Sequence, residues 1–356
     1  MRALQYHGRG DIRLNDIPEP EPAPSEIKVA VAGTGICGSD IHEYRGGPIA
    51  VPLDAAHPLT GEQAPVTMGH EFSGTVVAVG ERVTGVEVGQ RVAPSALQRC
   101  GECESCRSGW PQLCALLAFH GLSGGGGGFA AFDTFPANLA HVLPDSVDDQ
   151  LGALIEPLAT GVHAIARGGV EDGDTVVILG GGPIGLTTLV SALAGRASQV
   201  VVSEPNPARA KAAERLGATA VLDPTTTDVV AAVRDLTGGR GADVALDAAA
   251  APSSFDTALG SVRPRGSVVN VAVWEDTTPL QPNALLFTEV RVTGALGYTD
   301  AEFDRAIEIA AGGTYDLASL ITRRIGLDDI VGDGFARLAE STGDDIKVLV
   351  RTGGHT

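Results

Sequence analysis

The chain has 356 residues, 44% hydrophobic and 19% charged, enough for two domains with separate cores and unlike a disordered chain. Its formal net charge of −19 opposes nucleic acid and anionic membrane surfaces as partners. Residues 1–6 lack the apolar run of a secretion signal, and no stretch of about 18 uninterrupted apolar residues offers a membrane span.

A cytoplasmic chain is expected on these grounds. There, its five cysteines point to metal or thiolate chemistry before disulfides. Only three lysines (Lys28, Lys211 and Lys347) accompany 22 arginines, which reads as a compositional bias of the genome.

Residues 1–150 read as a mainly β domain. Short apolar segments such as 26–31 and 73–79 are separated by turn residues at 8–10, 18–24 and 88–90. Within this region lie Gly35-Ile36-Cys37-Gly38-Ser39-Asp40-Ile41-His42 and Gly69-His70-Glu71. Taken singly, Cys37 is a small buried hydrophobe and His70 a core or turn histidine. Next comes Cys100-x2-Cys103-x2-Cys106-x7-Cys114, four thiols on one short loop. Four thiolates suit a closed tetrahedral zinc site. An iron–sulfur cluster is the alternative in a reducing compartment, and disulfides would be expected only in a secreted chain. Zinc is the preferred reading. The run 123–128, with five consecutive glycines, reads as a surface loop. Residues 148–166 have helical spacing and include Leu154-Ile155-Glu156-Pro157, where Glu156 alone reads as a surface charge.

From residue 174 onward strands and helices alternate, as in a parallel sheet covered on both faces. Strands are predicted at 175–179, 199–203, 219–222, 243–247, 266–273 and 290–294. Helices are predicted at 184–197, 207–216, 226–236, 252–260 and 301–311. Between the first strand and its helix stands Gly180-Gly181-Gly182-Pro183-Ile184-Gly185, a G-x-G-x-x-G turn. Gly180 permits the tight turn, Gly182 lets the backbone approach a pyrophosphate, and Gly185 allows close helix packing. Pro183 suits a first helical turn, and the N–H of Ile184 belongs to the helix end that faces phosphate. Glu204 ends the next strand, where an acid accepts hydrogen bonds from an adenosine ribose diol. That position favours NAD over NADP. Arg209 is the counter-signal, because a nearby arginine is what holds a 2′-phosphate. The alternation of Ile346, Val348 and Val350 predicts a last strand.

These segments together resemble the zinc-dependent medium-chain dehydrogenase/reductase family, the alcohol dehydrogenase superfamily, along nearly the whole chain. The matching residues are 35–42, 69–71, the Cys100–Cys114 lobe, Glu156-Pro157-Leu158-Ala159-Thr160, 180–185 and Glu204. A finer likeness to the (R,R)-2,3-butanediol dehydrogenase branch rests on 47–62, 119–129 and 294–298. The resemblance implies an α/β fold, with a Rossmann doubly wound parallel sheet and a mainly β GroES-like catalytic domain. The expected parts are a catalytic domain at 1–150, a nucleotide-binding domain at 151–296, and a segment 297–356 returning to the first.

The resemblance further implies two zinc ions per chain. Cys37, His70 and Glu156 would bind the catalytic one and Cys100, Cys103, Cys106 and Cys114 the structural one. Ser39 would contact the substrate oxygen, and His42 would pass its proton on. Glu71 would stand behind the metal and Thr160 behind the nicotinamide ring of NAD. Gln90, Ala131 and Phe132 depart from the family pattern at turns and at the domain surface, and loop 48–66 would shape the substrate pocket. The implied activity is interconversion of a secondary alcohol or vicinal diol with its ketone, 2,3-butanediol and acetoin first. Sorbitol- or L-threonine-type dehydrogenases are the alternatives. A non-catalytic nucleotide-binding protein of the same fold is the rival of another class. A homodimer or homotetramer paired along strand 290–294 is expected. His7, His57, His120, His141, His163 and His355 read as surface or packing residues.

Overall fold

The computed structural model describes residues 1–340 and 343–353. The chain separates into two compact units, one of residues 1–156, 299–313 and 321–356, the other of residues 157–298 and 314–320. The segment after residue 297 is thus shared out, because 314–320 groups with the second unit.

Among the described residues, the first unit is organised by a seven-stranded mixed sheet. Its path runs Ala140–Val142, Arg91–Pro94, Glu71–Val79, Glu26–Gly35, Lys347–Arg351, Ile321–Gly326, and Phe132–Pro136 also pairs with Glu26–Gly35. Two-residue periodicity explains the central strand. Ile27, Val29 and Val31 meet Phe72, Val76 and Phe135 in one apolar cluster. Complete burial of each such side chain is worth about 1.5–3 kcal/mol relative to exposure. The last strand uses the same alternation. Val348 and Val350 enter a second cluster with Ile36, Phe129 and Phe335, which turns Lys347 and Leu349 to the other face. In this sheet Gly35 is paired with Leu349 on one side and Glu71 on the other.

The glycine run is not a surface loop. Gly124, Gly127 and Gly128 are buried. A Cβ on Gly127 would lie 2.4 Å from the Thr67 carbonyl oxygen, and one on Gly128 would lie 2.7 Å from the Phe72 ring. The absent side chains let this segment pass against the core instead of marking flexibility.

The second unit carries a six-stranded, all-parallel sheet in the order Ala220–Leu222, Gln199–Ser203, Thr175–Leu179, Ala242–Asp247, Val262–Asn270, Arg291–Gly294. The chain doubles back at the central pair Thr175–Leu179 and Ala242–Asp247, the switch point of a doubly wound sheet. Helices Pro183–Ala194, Pro207–Leu216, Val229–Leu236 and Ser254–Ser261 connect the strands. The strand foreseen at 266–273 starts four residues earlier, at Val262, and stops at Asn270. The helix foreseen across 148–166 is two, Asp149–Gly152 and Ile155–Gly168. Helix Pro282–Thr288 was not foreseen. None of its residues is buried, and Leu286 and Phe287 are exposed, so no core-facing periodicity announced it.

Candidate metal and nucleotide sites

The first site grows from the end of strand Glu26–Gly35. The chain leaves it through Ile36 and Cys37 and turns into helix Gly38–Gly46, with Cys37 as its N-cap. Asp40 is buried and accepts the Cys37 N–H at 2.9 Å, which fixes the turn that presents the thiol. His70 precedes strand Glu71–Val79, and the positive φ of Gly69 (102°) supplies the bend before it. The ligand atoms of Cys37, His70 and Glu71 all lie within 4.8 Å of one another. Ser39 Oγ is 3.2 Å from His70 Nε2, and His42 follows Ser39 by three residues on the same helical face. Glu156, at the first turn of helix Ile155–Gly168, acts on His70 and on Lys347 through its charge.

Electrostatics mark this cluster as anionic. Burial alone would lower the His70 pKa, but the negative charges of Asp40, Cys37 and Glu156 raise it well above the usual imidazole value. Burial pushes Asp40 up to about 6. The Asp40 Oδ1 to His70 Nδ1 distance of 3.6 Å suits an ion pair and is too long for a hydrogen bond, and both atoms are buried without such a bond. A buried histidine, thiol and carboxylates with unmet polar atoms fit a soft divalent cation such as zinc. Loop 47–51 is tied to the same helix, because the buried Glu43 carboxylate accepts the N–H groups of Ile49 at 2.9 Å and Val51 at 3.2 Å.

The second cluster is the cysteine lobe. Cys100, Cys103, Cys106 and Cys114 bring their sulfurs within 4.8 Å of one another. The Cys114–Cys100 and Cys103–Cys114 separations are 3.5 and 3.9 Å. A tetrahedron with zinc–sulfur bonds of about 2.3 Å has sulfur–sulfur edges of about 3.8 Å. Backbone N–H groups of Cys100 and Leu116 point at Cys114 Sγ, each at 3.3 Å, and that of Cys103 at Cys100 Sγ. Such donors favour thiolate. N–H groups of Ala115 and Cys106 lower the Cys103 thiol to about 6.

In the second unit the glycine-rich turn has the stereochemistry its sequence suggests. Gly180 adopts φ 100°, and a Cβ on Gly185 would sit 1.8 Å from the Gly180 carbonyl oxygen. Around the Gly182 Cβ position there is open space, the room a pyrophosphate needs. Gly182 caps helix Pro183–Ala194, with Pro183 at its first position and Ile184 following. Glu204 is buried just beyond strand Gln199–Ser203. It accepts the N–H of Gly181 at 2.6 Å and of Asn206 at 2.7 Å. Arg209 lies in the first turn of helix Pro207–Leu216, half-buried, with Nε lacking an acceptor. Thr160 is half-buried on helix Ile155–Gly168.

Two residues of the first site escaped the sequence reading. Asp40 sits three residues after Cys37 and reads as an ordinary helix acid until its burial is known. Lys347 is fully buried and donates to both Glu71 oxygens, at 2.7 and 2.6 Å. Its signal was a lysine flanked by alternating apolar residues in a chain with three lysines. Among the other histidines, His120 is buried against Asp133 at 2.5 Å and His141 pairs with Asp304 at 2.6 Å. His355 lies outside the described residues.

Comparison with known proteins identifies the family. The family model of the alcohol dehydrogenase GroES-like domain matches residues 23–145, and that of the zinc-binding dehydrogenases matches 183–312. The (R,R)-butanediol dehydrogenase of Bacillus subtilis (strain 168) is 39% identical over 351 residues, 99% of each chain. A crystal structure of 2R,3R-butanediol dehydrogenase from Bacillus subtilis superposes with TM-score 0.91 over 98% of this chain and 99% of that one. The sorbitol dehydrogenase of the same strain is 31% identical, covering 98% of this chain and 97% of its own. A zinc-binding dehydrogenase from Sinorhizobium meliloti 1021, solved bound to NADP, is 32% identical with TM-score 0.88 over 98% of each chain.

Proposed function

This chain belongs to the zinc-binding alcohol dehydrogenases, and from that premise we propose that it interconverts a vicinal diol and its hydroxyketone, 2,3-butanediol and acetoin, with NAD as hydride carrier. The observation that carries the reading is the juxtaposition of Cys37, His70 and a carboxylate with Ser39 on the neighbouring helix. A non-catalytic nucleotide-binding protein has no use for that arrangement.

Cys37, His70 and Glu156 would hold zinc, which would supply polarisation of the substrate oxygen, and bound NAD would supply the hydride acceptor. The chain's own residues manage the proton and the orientation. Ser39 Oγ accepts the hydroxyl proton and passes its own to His42, three residues on along the same helical face. Asp40 holds the turn at Cys37, and Glu43 holds the loop after residue 47 against the same helix. The thiolate of Cys37 and the carboxylate of Glu156 offset the two charges of the cation, so a neutral alcohol or ketone exchanges without a net charge to oppose it. A second substrate oxygen beside the first favours diols and hydroxyketones.

NAD is favoured by Glu204. Its carboxylate repels a 2′-phosphate and accepts from a 2′-hydroxyl. Two zinc ions per chain are assigned, the second closed in by Cys100, Cys103, Cys106 and Cys114 in a structural role. Reduced thiols of this kind suit a cytoplasmic protein, and no helix among the described residues is long and apolar enough to cross a membrane. Self-association, as dimer or tetramer, is assigned to the edge strand Arg291–Gly294, beside which Phe287 and Leu296 are exposed.

The test is NADH formation by zinc-replete protein from separate 2,3-butanediol stereoisomers, with sorbitol and L-threonine alongside and NADP as second cofactor. Turnover of one butanediol isomer with NAD, at kcat/KM at least tenfold above the other substrates, is expected. Preference for sorbitol or threonine would keep the chemistry and discard the substrate.

A further inference from the structure

Two carboxylates compete for one place at the first metal site. Glu71 is the one that lies within 4.8 Å of both Cys37 and His70 by ligand atom, whereas the ligand set proposed above uses Glu156. Something must keep Glu71 from closing the site, and Lys347 is placed to do it.

Lys347 is 2% exposed and Glu71 0%. The ammonium donates to Glu71 Oε1 at 2.7 Å, to Oε2 at 2.6 Å and to the Ile36 carbonyl at 3.1 Å. An ammonium has three protons, so these three acceptors use all of them. Both carboxylate oxygens are engaged, so a Glu71 that swung away from this pair to reach a cation would leave the buried ammonium without two of its three acceptors. The backbone makes room for the pair at Gly35. A Cβ there would lie 2.3 Å from Glu71 Oε2 and 3.1 Å from Lys347 Cδ. Sheet register enforces the meeting, since Gly35 pairs with Glu71 on one side and with Leu349 on the other. Buried charges persist only when paired, and here each is the other's closest compensation. The charges of Cys37 and Glu156 also act on Lys347. With Lys347 present, Glu71 adds no net charge around the metal. Without it, Cys37, Glu156 and Glu71 would bring three negative charges to a divalent cation.

We propose that Lys347 is a positioning residue that holds Glu71 off the metal, so that Glu156 completes the protein ligand set and one position stays open to substrate. The inference rests on the zinc reading above and deepens it.

Cobalt(II) in place of zinc reads the coordination directly, because visible band intensity falls as four-coordinate cobalt gains ligands. Spectra are taken as differences from Cys37→Ser, which leaves only the cysteine-lobe ion. In Lys347→Met the freed Glu71 joins the metal, band intensity drops about twofold or more, and kcat falls about tenfold or more. Lys347→Arg keeps the parent spectrum, and Lys347→Met/Glu71→Gln recovers it. A parent-like spectrum in Lys347→Met overturns the proposal. Should that variant fail to fold, Glu71→Gln decides: its triad cobalt and bands stay as in the parent if Glu71 is held off the metal, and change if Glu71 is a ligand. Failure of the zinc reading itself looks different. The parent then holds one cobalt per chain and shows no difference spectrum against Cys37→Ser, and the role of Lys347 falls with it.

Discussion

The two side-chain clusters that could hold a metal ion are assembled in opposite ways. Cys100, Cys103, Cys106 and Cys114 come from one loop of fifteen residues, and their sulfurs need only local turns to meet. Cys37, His70 and Glu71 come from the ends of two neighbouring strands and meet through the pairing of Gly35 with Glu71. The first cluster is made of four like side chains, a set that would close a tetrahedron around zinc and leave nothing for chemistry. The second mixes sulfur, nitrogen and oxygen beside a serine hydroxyl and a buried lysine. A local cluster stabilises the loop that contains it. An assembled cluster draws on the whole sheet, and that sheet can also bring in groups that tune it.

The largest effect that would break this contrast is on activity. Cys37→Ser should lower kcat/KM for alcohol oxidation by more than about 100-fold, the upper loss expected when merely an outer partner of a metal ligand is removed. Far-UV circular dichroism should stay that of the parent; a collapsed spectrum would make the cluster structural. Ser39→Ala should cost about 100-fold in kcat, as expected of a group that moves a proton, with a smaller change in KM. A kcat within twofold of the parent would remove Ser39 from the proton path.

Cys103→Ser should act the other way. Loss of the lobe's ion should lower the melting temperature by roughly 5 °C or more, and activity should decline only as folded protein is lost. An unchanged melting curve would deny the lobe a structural role.

The smallest effect is expected in the second unit. Asp243 is held at about 2: burial raises its pKa, but Arg240, Arg263 and the Thr175 N–H outweigh that and lower it. A folded pKa below the unfolded value of about 3.9 means stability present above pH 4 and lost as pH falls towards 2. Asp243→Asn should therefore cost about 2 kcal/mol at pH 7 and less at pH 3, read by urea denaturation. Zinc content should not change.

What could be read from sequence follows the same division. The cysteine lobe and the glycine turn are local, so spacing alone carried their chemistry. Strands 175–179 and 199–203 have the bounds that their apolar runs set. The assembled site was legible only through family resemblance, because no spacing rule links residue 37 to residue 70. The sequence marked Lys347 as a lysine among alternating apolar residues but not its role, which depends on sheet register and on the missing Cβ of Gly35. The glycine run 123–128 misled for a related reason. Glycine marks both free loops and backbone packed too closely for a side chain, and the sequence does not tell the two apart.

The most direct measurement is zinc per chain in the purified parent and in Cys37→Ser, taken with the alcohol-oxidation rate of each. Two ions in the parent and one in an inactive Cys37→Ser protein are predicted. One ion in both, with the rate unchanged, would contradict the account.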